Sequence, residues 1–302
     1  MTKVDLKNVV ATTQKSGGTI GYLCWYSVSE DLYEREHLRR LFIQYGLNEE
    51  FLPKPIRAAD AFRRATKHVE TRNVDAGNGV LDNYLVRNVV SNKDIIQRNI
   101  VKESRDLNGR KLGYSPDEAI LIFNRQDETF RVAKRTIGSL SEDLADEAKR
   151  LYEIFLLHHN AQAVRSCVLT ILKTLSPTPV RPSGGVYFVP IKYEDKLRSL
   201  CGFLSALDKG EGFMVPLDDT KENRDMVRTK LYEHLKNTLK NCTDTLRSTE
   251  EIPKGVIKQL IEEAKRVVSD FKDYRETFGS TIENMETYVD LIRQQIQALL
   301  EK

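Results

Sequence analysis

The stretch LDNYLVRNVVSNKDIIQRNIVKESRDLNGRKLGYSPDEAILIFNRQDETFRVAKRT, residues 81–136, decides the fold class. Its apolar residues recur at every second position or in short runs, as in Leu81–Val90, Asp94–Glu103, Glu118–Arg125 and Thr129–Ile137. Asn108-Gly109, Ser115-Pro116 and Gln126-Asp127 punctuate these runs. Connections so short leave no room for crossover helices, so an antiparallel sheet of about four strands is predicted.

On either side the period becomes helical. Upstream, Ala58, Phe62, Ala65 and Val69 form one stripe, which predicts a helix from about Pro55 to Val69. Before it, TIGYLCWYSV (Thr19–Val28) reads as a strand, and Ser29 to Tyr45 as a helix stopped by Gly46. Downstream, Ser141–Leu175 carries a helical stripe as one long helix or as two broken near Asn160. VYFVPI (Val186–Ile191), a helix Glu194–Leu207 and a strand Gly212–Leu217 form a small strand–helix–strand unit. The predicted class is α+β. A globular region over 1–218 comprises a sheet-rich part (1–138) and a helix-plus-small-sheet part (139–218) sharing one core. A C-terminal helical hairpin follows over 219–302.

The hairpin carries the strongest periodic signal. From Ile257 to Leu299 apolar residues step by threes and fours, with one extra four-residue step at Phe278–Ile282 beside Gly279-Ser280. A continuous helix from Pro253 to Lys302 would be about 70 Å long at 1.5 Å per residue. The preceding helix, Asn223–Arg247, covers only its first half. The reading therefore assigns Ile282, Met285, Val289, Ile292, Ile296 and Leu299 to a coiled-coil-like seam that forms a homo-oligomer or captures a partner helix. Its rival is a break at Gly279-Ser280 that returns the last segment onto its own chain.

Composition excludes several classes. With 40% hydrophobic residues the chain is not disordered throughout. No run approaches the ~20 apolar residues of a membrane span, and the N-terminus carries no apolar signal segment, so no membrane is expected. Four scattered cysteines fit reduced thiols and a cytoplasmic setting. The net charge of +3 is too balanced to mark a nucleic-acid binder, but residues 51–135 hold 17 basic against 11 acidic side chains.

Motifs of chemistry are sparse. There is no HExxH, GxSxG, GxxxxGK[ST] or GxGxxG, so neither a catalytic residue nor a cofactor or metal ligand is assigned. Ser183-Gly184-Gly185 precedes a strand, whereas a phosphate loop needs a helix N-terminus. The adjacent pair His158-His159 is placed on a helix, where neighbours diverge by about 100°. A metal-dependent enzyme could be assembled from Asp117 with Glu147-Ala148-Lys149 or Glu194-Asp195-Lys196, although such triplets recur by chance, as in Glu263-Ala264-Lys265. A better surface is the predicted second helix, where Arg57, Arg63, Arg64 and Lys67 share a side opposite the apolar stripe. A single-strand platform would need aromatics beside such bases on a sheet; Tyr84 and Phe123 could serve, as could any core aromatic.

Two segments, FLPKPIRAADAFRRAT (Phe51–Thr66) and RPSGGVYFVP (Arg181–Pro190), with a sheet between and long helices after, carry a resemblance. The chain resembles a group of uncharacterised proteins of about this size, encoded by phages and mobile elements of Gram-positive bacteria. The resemblance implies a protein of the bacterial host cytoplasm and transfers no activity. The expected function is a non-enzymatic interaction or assembly protein of such an element, including one that binds a host or defence protein. The alternatives are nucleic-acid binding through the basic middle region and an unrecognised metal-dependent enzyme acting on nucleic acid.

Overall fold

A computed structural model describes residues 18–181 and 185–301. In chain order they form β1 (Thr19–Val28), β2 (Leu32–Glu34), α1 (Arg35–Gln44), α2 (Ala58–His68), β3 (Thr71–Gly77), β4 (Val80–Ser91), β5 (Ile95–Asp106), β6 (Lys111–Asn124) and β7 (Phe130–Arg135). Then come α3 (Leu140–Leu157), β8 (His158–Asn160), α4 (Ala161–Lys173), β9 (Thr178–Pro179), β10 (Tyr187–Pro190), α5 (Glu194–Ala206), β11 (Gly210–Asp218), α6 (Lys221–Arg247), α7 (Lys254–Phe278) and α8 (Glu286–Glu301). The chain is α+β, as its period changes predict.

The boundaries between units differ from the expected ones. Residues 18–31, 38–52 and 161–301 make one unit, and residues 32–37 and 53–160 another. The expected break at 218/219 is not there, and 1–218 does not share one core. The reason is burial. The C-terminal helices cover Ile20 and Phe188, while α2, α3 and the middle strands close a core of their own.

In the first unit, an antiparallel sheet has the order β11-β1-β10-β9. The helix-bearing connections β1 to β9 and β10 to β11 give it the split β-α-β connectivity. Tyr22 and Cys24 face α5, where Glu194 and Cys201 lie. Leu23, Phe188 and Leu217 face the C-terminal helices. A bulge between Thr19 and Gly21 turns Ile20 to that same side.

The C-terminal part is three helices, not a hairpin. Gly279 ends α7 at φ +55°, a short 3-10 segment (Gly279–Met285) follows, and α8 packs back on α6 and α7. Tyr232 and Tyr288 join hydroxyls at 2.8 Å across α6 and α8. The extra four-residue step is therefore a chain reversal.

The second unit is a five-stranded antiparallel meander, β3 to β7 in order, with α2 and α3 on one face. Phe62 of α2 stacks on Phe123 at 5.5 Å and meets Phe130 edge-on at 4.9 Å. The fifth strand, β3, carries no periodic signature, because TRNVDAG is polar, lies at the sheet edge and pairs irregularly. The expected helix Ser29–Tyr45 begins only at Arg35, because Leu32–Glu34 pairs with His158–Asn160. That pairing also splits α3 from α4 and puts the two histidines in a strand rather than a helix.

Candidate functional site

The four bases assigned to the second helix share a side, but they are not a free cationic surface. Arg57 Nε and Arg63 Nη1 both reach Asp60, at 2.7 and 2.8 Å. Lys67 Nζ pairs with Glu70 at 2.6 Å. Arg64 lies over the Phe155 ring at 5.5 Å. Burial works to raise the Asp60 carboxyl, but the two arginines outweigh it and hold its pKa below the usual range. Arg98 of β5 adds a half-buried cation beneath the helix, donating to Arg63 O at 2.8 Å and Thr66 Oγ1 at 2.9 Å. This side of α2 is a set of local ion pairs that mainly dress the helix.

The C-terminal seam is likewise used within the chain. Ile282 and Ile292 are fully buried, and Met285, Val289, Ile296 and Leu299 lie in the same core with Leu231, Leu235, Phe271 and Tyr274. These side chains face α6 and α7, so the predicted self-association seam is corrected to an internal one. Periodicity shows which residues are apolar together. It cannot show whether the covering helix belongs to the same chain.

The residues proposed for metal chemistry are not brought together. Asp117 pairs with Lys134 at 2.6 Å, Glu147 with Arg150 at 2.6 Å, and Glu194 with Arg198 at 2.7 Å. Among the described residues, no group of three or more His, Cys, Asp or Glu is placed to hold a metal ion. His159 is buried, and desolvation drops its pKa to about 4. Tyr84 and Phe123 are core residues.

The cations that do gather on a surface come from strands. At one end of the five-stranded sheet, a groove of about 270 Å³ is lined by Arg72, Asn83, Leu85, Glu103, Arg105 and Leu107, among others. Arg87 and Arg105 each place Nη2 3.2 Å from the Glu103 carboxylate. Burial pushes Glu103 up, but the two arginines prevail and hold it below the usual carboxylate range. One carboxylate thus serves two arginines. Lys111 stands opposite Arg105 in the register, next to Arg110, and both are exposed. Neither forms an ion pair among the described residues.

This end also exposes apolar side chains. Leu107 is 73% exposed, Leu112 53% and Tyr114 60%. Tyr114 stands opposite Glu103. Alternation along the strands carried the signal for this surface, since Glu103 and Arg105 share a face. What sequence reasoning missed was which of the many bases in 51–135 are paired with a neighbouring carboxylate.

A second polar cluster lies in the first unit. Ser176, at φ +49° and almost fully buried, donates to Asp270 Oδ1 at 3.1 Å and also to Asp273. Tyr193 OH donates to Asp273 Oδ2 at 2.7 Å, Lys192 pairs with Asp273, and Arg266 reaches Asp270 at 2.7 Å. Tyr274 OH donates to Ser176 O at 2.8 Å. The cluster anchors α7 to the turns around β9 and β10. Its hydroxyls and carboxylates are partnered by its own members, with only Arg266 Nε among its described side-chain atoms buried without a hydrogen bond, which suits a structural node.

The chain belongs to DUF6744, a family of unknown function, whose model matches residues 19–302. No curated protein and no solved structure matches it.

Proposed function

We propose that this member of DUF6744 is a nucleic-acid-binding protein whose contact surface is the hairpin end of the five-stranded sheet. The observation that carries the reading is the excess of exposed cations there. Arg72, Arg87, Arg105, Arg110 and Lys111 gather around Glu103 and Asp106, and Asp106 is engaged by backbone donors of its own turn. Lysines and arginines on one exposed face pair with phosphates and release counterions. The resemblance of Phe51–Thr66 and Arg181–Pro190 supports a phage or mobile-element protein working in the cytoplasm of a bacterial host.

A second reading, an interaction protein that docks a partner with an acidic surface, is favoured by the exposed Leu107, Leu112 and Tyr114. Fluorescence anisotropy with single- and double-stranded oligonucleotides across a salt series tests the first reading. The wild-type chain is expected to bind with an affinity that falls steeply with salt, and R87E/R105E is expected to lose binding. Salt-insensitive binding, or none, refutes it.

A further inference from the structure

We infer that Leu107 is a wedge, inserted between base pairs of duplex nucleic acid by the β5–β6 hairpin. This rests on the nucleic-acid reading above and adds to it the form of the substrate and the manner of contact.

Leu107 sits at the hairpin tip, in the turn Asp106–Arg110, and is the second most exposed large hydrophobic side chain described. An isolated aliphatic side chain at the end of a floppy loop would lose much entropy on insertion. This one is held. Asp106 Oδ1 accepts from the backbone N–H of Asn108 at 2.9 Å and of Arg110 at 2.8 Å. Gly109 N–H donates to Asp106 O at 2.9 Å, and Asp106 N–H to Arg110 O at 3.0 Å. Gly109 supplies the left-handed φ of +82° that closes the turn. Leu107 also lies beside the neighbouring β3–β4 turn, where a Cβ added to Gly79 would come within 3.7 Å of Leu107 Cδ1.

Charge complementarity names the occupant. Arg105 precedes the tip and Arg110 and Lys111 follow it, so cations stand on both strands within four residues of Leu107. A single leucine inserts too little apolar area to anchor the chain in a membrane, and an apolar protein pocket would not require that flanking charge. A duplex does, because a side chain entering between base pairs passes two phosphate backbones. Proteins that bend DNA insert leucine, isoleucine, phenylalanine, methionine or proline at such steps and kink the duplex by roughly 20–90°. Strands can bind in the minor groove, where such wedges act, as well as in the major one.

The test uses the full chain and a duplex DNA of about 20 base pairs carrying a donor and an acceptor dye at its ends. Saturating wild-type protein is expected to raise transfer efficiency as the kink brings the ends together. L107A, altered at an exposed site, is expected to bind within about threefold of wild type without that rise, and L107M to restore it. Saturated wild type with unchanged transfer overturns the wedge, as does L107A producing the full rise. Binding confined to single strands overturns the wedge and leaves the nucleic-acid reading standing. Failure to bind any oligonucleotide removes both.

Discussion

Ser176 Oγ donates to the Asp270 carboxylate at 3.1 Å and to Asp273, one helical turn away on α7. The two carboxylates answer differently to that shared hydroxyl. Asp270 is pushed up to about 6, mainly by burial, against the opposing pull of Arg266 and Ser176. Burial also acts on Asp273, but hydrogen bonds from Lys192, Ser176 and Tyr193 prevail and hold its pKa low. The node therefore contains one carboxyl that favours its neutral form and one that favours its charged form.

The pH dependence of stability follows. Asp270 has a folded pKa above its unfolded value, so the folded state binds its proton more tightly. Its stabilising contribution is full below about pH 4 and is lost as pH rises through about 6. An asparagine mimics the neutral carboxyl. D270N is expected to match the wild type at pH 3 and to unfold at a higher temperature at pH 7.5. Calorimetry at the two pH values checks this, and a stabilisation larger at the lower pH would contradict the assignment.

The reversal between α7 and α8 depends on Gly279, whose φ of +55° and ψ of −138° suit only glycine. G279V should cost on the order of 2 kcal/mol through backbone strain. I292D should cost about 3 kcal/mol or more, because it buries a charge without a partner in the core of the three helices. Both should lower the unfolding midpoint while the mass in light scattering stays the same. A drop in mass with I292D would restore the seam between chains.

Arg98 is a half-buried cation with three acceptors, whereas Lys67 is an exposed one with a single carboxylate partner. Arg98 serves Arg63 O, Thr66 Oγ1 and Asn88 Oδ1, so R98A should destabilise by about 2 kcal/mol and leave those acceptors short of a donor. K67A takes the ammonium from Glu70, whose side chain is only 13% exposed but keeps the Val86 N–H, and should destabilise by less than R98A, about 1 kcal/mol. Urea midpoints at constant slope would measure both.

Gly21 lies where β1 passes β10. A Cβ there would stand 2.3 Å from Val189 O and 2.6 Å from the Phe188 ring. Since the nearer atom is backbone, G21A must spread the strand pair, with an expected loss of about 2 kcal/mol or more and a shifted Phe188 ring environment by NMR. A neutral G21A would mean that the strands can separate there.

The sequence by itself determined the local chemistry. Alternation in 81–136 marked the strands of the meander, because a half-buried antiparallel strand must turn every second side chain to the core. The stripe of Ala58, Phe62 and Ala65 marked α2, and the steps from Ile257 to Leu299 marked the residues of one apolar seam. The polar edge strand β3 left no such trace. Only the tertiary structure decided what covers each apolar face and which charges are spent. It closes Ile282–Leu299 against α6 and α7, and returns the C-terminal helices to a sheet begun by Thr19–Val28. It pairs Arg57 and Arg63 with Asp60 and Arg87 and Arg105 with Glu103, and leaves Arg110 and Lys111 without an ion pair among the described residues. Burial and Coulomb energy depend on distances between residues far apart in the chain, and a period read along one segment contains no such distance.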